Sequence, residues 1–206
     1  VRIAVIPAAR ALREVAAQRR QVTDLRRGEA LRRGSQARIG RGNARIGGDG
    51  GDIYIIDSTT DTINEAAGGS GIDEIRVSIS FNFGVENIEL ITLTGTGDTF
   101  VFGSDAAERI VGNTGSNFLD GYGGADTLGG GDGADALYAG SGIDTLGGGE
   151  GADTLDGGSE IDTMRGGNGT DIYFADLTTD IISETNASLA TGGNDMVIFN
   201  GAAGTF

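Results

Sequence analysis

From Gly103 to Phe174 the large apolar residues recur every nine positions: Ile110, Leu119, Leu128, Leu137, Leu146, Leu155, Met164 and Tyr173. Two places before each stands a polar residue, in order Glu108, Asn117, Asp126, Asp135, Asp144, Asp153, Asp162 and Asp171. The first, second and fourth places are mostly glycine, as in GGDGADALY (130–138) and GGEGADTLD (148–156). A period of nine matches neither the 3.6 of an amphipathic helix nor a long two-residue alternation, so it marks a tandem repeat of small units.

Nine residues divide into a turn and a strand. Glycines at the first, second and fourth places permit positive φ and close backbone approach, so the first six residues curl with their carbonyls pointing one way. The last three form a short strand whose middle side chain points inward. Two units make one coil, with turns on both edges and two thin parallel sheets whose leucines meet in the middle. One large apolar side chain per unit contributes about 1.5 to 3 kcal/mol, whereas ordering nine backbones costs roughly 9 kcal/mol or more. The predicted fold is therefore all-β and needs a further source of stability.

Before Gly103 the pattern is less regular. Strand-like runs IRVSISF (75–81) and IELITLT (88–94) extend the coil. DIYIIDSTTDTINEA (52–66) recurs as DIYFADLTTDIISET (171–185), with nine identities in fifteen at an offset of 119. That offset is not a multiple of nine, so the intervening coils contain insertions. GGSGIDEIR (68–76) is one isolated repeat, with Asp73 at its sixth place. At the N-terminus, Leu12, Val15, Val22 and Leu25 recur at helical spacing, which predicts a basic amphipathic helix over 8–27, followed by an unstructured arginine- and glycine-rich stretch to Ile46.

Charge sharpens this division. Residues 1–46 hold 12 of the 15 basic residues, all arginine, against Glu14, Asp24 and Glu29; the remaining 160 residues hold 3 arginines and 27 acids. Four stretches follow: an arginine-rich leader, helical or disordered (1–46), irregular solenoid coils (47–102), a regular nonapeptide roll (103–174) and a C-terminal β segment (175–206). The leader contains no aromatic residue and no recognisable module, so no nucleic-acid partner is expected. No apolar run is long enough to span a membrane, and none has the form of an N-terminal secretory signal.

Histidine and cysteine are absent, which excludes a histidine zinc site, a Ser-His-Asp triad and any thiol chemistry. Ser104, Ser116 and Ser141 are read as structural turn residues, and the chain is expected not to be an enzyme, with no catalytic residues. The carboxylates point elsewhere. Coils stack at strand spacing, which brings sixth-place acids of one edge within about 5 Å of each other, so a cation is required to hold them together. Carboxylate and carbonyl oxygens without nitrogen or sulfur ligands fit Ca²⁺ better than Mg²⁺.

GGDGADALY, GGEGADTLD, GGNGTDIYF (166–174) and GGDGGDIYI (47–55) resemble the G-G-x-G-x-D-x-U-x nonapeptide of RTX (repeats-in-toxin, hemolysin-type) calcium-binding proteins. The resemblance runs from Gly47 to Ile198. It implies a right-handed parallel β-roll, or β-solenoid, in which calcium lies between adjacent coils, held by sixth-place aspartates and glycine-loop carbonyls. Carried over, one edge pairs Asp126 with Asp144 and Asp144 with Asp162; the other pairs Asp135 with Asp153 and Asp153 with Asp171. These pairs imply about four well-formed Ca²⁺ sites, a weaker one at Asn117 and Asp135, and weak or absent binding beside Glu108. Asp52 and Asp73 are the candidate ligands of the irregular part. Glu160 and Ala139 depart from the glycine pattern, and the third-place acids Asp132 and Glu150 are read as solvent-facing spacers.

The resemblance further implies a secreted, extracellular bacterial protein, handled by type I secretion machinery through a C-terminal signal, folding on calcium outside the cell, and attached in a longer parent to an effector domain. The competing reading is a structural or adhesive solenoid that binds glycans or cell-surface partners through its outward seventh-place residues Thr127, Ala136, Thr145, Thr154 and Thr163.

Overall fold

The computed structural model describes residues 36–38, 44–46, 50–64, 71–82, 87–176, 179–184 and 193–200. Every strand among them pairs in parallel. One nine-stranded sheet runs through Gln36–Arg38, Ile53–Ile56, Glu74–Val77, Leu90–Leu93, Arg109–Val111, Thr127–Asp132, Thr145–Glu150, Thr163–Asn168 and Ile181–Ile182. A seven-stranded sheet runs through Phe81–Asn82, Phe100–Ser104, Phe118–Tyr122, Ala136–Tyr138, Thr154–Asp156, Ile172–Ala175 and Met196–Phe199. From Glu74 to Phe199 the chain alternates between the two, so each coil there contributes one strand to each, which is a β-roll, while upstream Ala44–Ile46 and Thr62–Asn64 form a separate two-stranded sheet.

Register shows where the repeat is strict. From Arg109 onward, partners in the first sheet lie 18 residues apart, as in Thr127 with Thr145 and Thr145 with Thr163. Upstream the spacing is 21 from Ile53 to Glu74, 16 from Glu74 to Leu90 and 19 from Leu90 to Arg109. These uneven coils account for the 119-residue offset. Tyr54 and Tyr173, equivalent residues of the recurring segment, lie on opposite sheets, because the segment recurs after six coils and a half. After Ile172 the next partner, Met196, is 24 residues on.

The eighth-place residues form the core. Ile110, Leu119, Leu128, Leu137, Leu146, Leu155, Met164 and Tyr173 are all 0 or 1 % exposed and join Tyr54, Ile75, Ile91 and Val101 in one apolar cluster. Tyr173 buries its hydroxyl by accepting the Gly166 N–H at 2.6 Å, as a buried phenol requires.

Two expectations change. The stretch up to Ile46 is not without regular structure: Gln36–Arg38 pairs with Ile53–Ile55, and Ala44–Ile46 pairs with Thr62–Asn64. These pairs continue the coil spacing upstream, which the arginine-rich composition concealed. The seventh-place residues also do not share a face. Thr127, Thr145 and Thr163 lie on the first sheet and Ala136 and Thr154 on the second, because successive units fall on opposite sheets. The helix expected over 8–27 lies outside the described residues.

Candidate metal centre

The turns are built from a repeated backbone conformation. At the second place Gly131, Gly140 and Gly149, and at the fourth Gly133, Gly142 and Gly151, have φ between 101° and 135°. At Gly149 a Cβ would run into the carbonyl oxygen of Gly131, one coil earlier, so both conformation and space demand glycine. Two larger residues accept this backbone: Tyr122 at φ 69° and Glu160 at φ 79°. Glu160 is exposed, and its Oε2 accepts the Gly142 N–H at 2.9 Å and the Ser159 hydroxyl at 2.7 Å. The departure at Glu160 therefore ties one turn to the preceding one. Ala139 is fully buried within the core cluster.

These turns deliver the sixth-place side chains to the two edges of the roll. On one edge the backbone N–H of Glu108 donates to Asp126 Oδ1 at 2.8 Å, that of Asp126 to Asp144 at 2.7 Å and that of Asp144 to Asp162 at 2.9 Å. On the other, Asn117 donates to Asp135 at 2.7 Å, Asp135 to Asp153 at 2.8 Å and Asp153 to Asp171 at 2.8 Å. Each sixth-place carbonyl in turn accepts a seventh-place N–H one coil on, as Asp135 does from Thr154 at 2.8 Å. The expected pairs are thus adjacent on their edges, each aspartate's carboxylate capping the residue one coil earlier.

The second carboxylate oxygen is left over. Oδ2 of Asp126, Asp135, Asp144, Asp153, Asp162 and Asp171, with Oε2 of Glu108, is buried without a hydrogen-bond partner, although the six aspartates are at most 2 % exposed. A Cβ on first-place Gly130, Gly148 or Gly166 would meet the Oδ2 of the same unit's aspartate. Orphaned buried carboxylate oxygens are costly unless a cation satisfies them.

Electrostatics records that cost. Burial is the largest cause that raises the carboxyls of Asp126, Asp153 and Asp162 to about 7 and that of Asp135 to about 6, with neighbouring carboxylates adding to the rise in each. Asp144, Asp171 and Asp73 are also raised, burial first. Among the described residues no three acidic side chains converge on one point. A cation between two coils would therefore draw on carboxylate pairs, with main-chain carbonyls of the turns and water completing an oxygen shell. The donor set fits calcium.

Asp52 and Asp73 extend the same ladder: the Asp52 N–H donates to Asp73 Oδ1 at 2.6 Å, and the Asp73 N–H to Glu89 Oε2 at 2.8 Å. Three acids outside the sequence-derived set continue it: Glu89, Asp180, whose Oδ1 accepts the Asp162 N–H at 3.2 Å, and Asp195, whose Oδ1 accepts the Asp171 N–H at 2.9 Å. The 18-residue step from Asp162 identifies Asp180, whereas the uneven coils hide Glu89 and Asp195. Asn117 differs from the aspartates. Its Oδ1 accepts the Asn113 N–H at 2.8 Å, and its Nδ2 donates to Thr99 Oγ1 at 3.2 Å and Asn113 Oδ1 at 3.1 Å, so its amide is satisfied locally. Asp132 and Glu150 are exposed. Ser104 ends a strand rather than occupying a turn, and its hydroxyl donates to Glu108 Oε1.

The family model described as the RTX calcium-binding nonapeptide repeat (4 copies) matches residues 102–137, 111–146 and 147–182. No curated protein matches the chain.

Proposed function

The chain carries RTX calcium-binding nonapeptide repeats across residues 102–182, and from that premise we propose that the roll folds around calcium ions seated between coils at its turn edges. The ligands are Asp126, Asp144 and Asp162 on one edge and Asp135, Asp153 and Asp171 on the other, with Asp52 and Asp73 in the upstream coils. The observation that carries this reading is the file of buried, partnerless Oδ2 atoms, one per coil on each edge. A cation would turn each from a penalty into a ligand.

Folding then depends on the ion. Without it, the 24 excess negative charges after residue 46 repel one another, and metal binding supplies folding free energy. Calcium-binding modules working outside the cell have dissociation constants of about 10⁻⁴ to 10⁻³ M, and a roll of this kind would stay unfolded where calcium is scarce and fold where it is plentiful. This supports a secreted protein passed unfolded through a type I export apparatus, its roll aiding the folding of an attached effector domain. The chemistry of the roll itself is structural; no catalytic role is assigned to it. For the adhesive reading, the seventh-place row is divided between two faces, with Thr127, Thr145 and Thr163 in register on the first sheet and Ala136 and Thr154 on the second.

Circular dichroism of the full chain during a Ca²⁺ titration, with Mg²⁺ in parallel, tests the proposal. The expected result is a cooperative gain of β signal between about 0.1 and 10 mM Ca²⁺ and none with Mg²⁺. A chain equally folded in EDTA would sink it.

A further inference from the structure

The two outer faces of the roll differ in kind. All three arginines that follow residue 46, Arg76, Arg109 and Arg165, lie in strands of the first sheet. The strands of the second sheet contain none. The second sheet instead presents an aromatic cluster. Phe102 lies 5.7 Å from Phe100, 5.8 Å from Phe118 and 6.0 Å from Tyr122, and Phe118 lies 5.2 Å from Tyr138, ring centre to ring centre. Phe100, Phe118 and Tyr122 are 44, 37 and 49 % exposed.

Acids are interleaved with these rings. In register across the sheet, Phe102 pairs with Asp120, Asp120 with Tyr138, Tyr138 with Asp156, and Asp156 with Phe174. Ring and carboxylate therefore alternate at strand spacing, and neither acid belongs to the turn ladders. A guanidinium group matches this alternation: it stacks flat on an aromatic ring and forms forked hydrogen bonds with a carboxylate, and a ring–cation contact adds to the ion pair. Neither contact is available to an anionic partner.

The chain holds a segment of complementary charge that the calcium reading leaves without a role. Residues 1–35 contain nine arginines against Glu14, Asp24 and Glu29. Thirty-five residues can reach on the order of 100 Å when extended. The coil of Phe118–Tyr122 is only about 20 Å along the roll from that of Gln36–Arg38 at strand spacing. We propose that this arginine-rich segment docks in cis on the second sheet's outer face, its guanidinium groups seated between Phe102, Asp120, Tyr138, Asp156 and Phe174. The segment is a tethered ligand of the roll, and it covers the aromatic patch.

Because the chain has no cysteine, Ala17→Cys gives a single site for a nitroxide label in the full-length, calcium-loaded protein. The label is expected to broaden the ring signals of Phe118, Tyr122 and Tyr138 while sparing the methyls of Thr127, Thr145 and Thr163 on the opposite sheet. The D120N/D156N double variant, its threonine methyl spectrum reporting an intact roll, is expected to abolish the broadening. Replacing Arg19, Arg20, Arg26 and Arg27 by lysine keeps the charge and is expected to weaken it severalfold. Equal broadening of both faces, or none, overturns the proposal, as does indifference to the lysine variant, which would mean attraction by charge alone. Broadening seen only between labelled and unlabelled chains would assign the face to a second copy. A neutral hexasaccharide that shifts the ring signals while the label leaves them untouched would make it a glycan surface instead.

Discussion

Acid should do in part what calcium does. The carboxyls of Asp126, Asp153 and Asp162 stand at about 7 in the folded roll, and an unfolded aspartate titrates at 3.8. Between these values the folded state binds more protons than the unfolded one, so metal-free stability is fully present below the unfolded pKa and is lost as pH rises through about 7. Moving from pH 8 to pH 5 gives each group about two units of differential protonation at about 1.4 kcal/mol per unit, roughly 3 kcal/mol each and on the order of 8 kcal/mol for the three. That is comparable to the whole stability of a typical domain, about 5 to 15 kcal/mol. In EDTA, the β signal is therefore expected to be stronger at pH 5 than at pH 8, measured by circular dichroism above the sequence pI of 4.2. In calcium the sign reverses: protons compete for the same oxygens, so the calcium midpoint rises as pH falls below about 7. A metal-free signal that is flat or falls on acidification would refute the assignment of orphaned, proton-hungry carboxylates to these edges.

Single substitutions test the same geometry. Asn117→Asp replaces a satisfied amide with a carboxylate paired to Asp135 and is expected to lower the calcium midpoint severalfold in a dichroism titration. Gly149→Ala, which forces a methyl against the Gly131 carbonyl at φ 118°, is expected to cost about 3 kcal/mol or more, read from thermal melts in calcium. Gly147→Ala, facing open space, is expected to change stability by less than about 0.5 kcal/mol in the same melts. Glu160→Gly relieves a strained φ of 79° at the expense of an exposed hydrogen bond to Gly142, and a net gain of about 1 kcal/mol in the same melts is expected.

The regular roll was legible because two signals share one register: a large apolar residue at the eighth place and an acid at the sixth. The first dictates which side chains meet inside, and the second places carboxylates alternately on the two edges. Legibility failed where coil length varies. Asp195 caps Asp171 across 24 residues and Glu89 caps Asp73 across 16, so neither falls on a multiple of nine. The threonine row was misread for a different reason: a nine-residue period counts every unit, whereas a face of the roll sees only every second one. The aromatic face has no fixed place in the repeat. Phe100 and Phe118 stand at the seventh place, Phe102 and Tyr138 at the ninth and Tyr122 at the second, and only stacking gathers them.

The capping ladder also gives the roll a polarity. Every sixth-place N–H is satisfied by a carboxylate from the coil that follows it in sequence, never the one before, as in Asp126 to Asp144 and Asp153 to Asp171. The two ends of any such stack are then chemically unequal. Shortening it from the N-terminal side strands seventh-place N–H groups, as Thr145 loses the Asp126 carbonyl, while shortening it from the C-terminal side strands sixth-place N–H groups, as Asp126 loses the Asp144 carboxylate. An added coil must accordingly bring a different cap to each end: a side-chain carboxylate where the stack is extended past its C-terminal coil, and a main-chain carbonyl where it is extended past its N-terminal one.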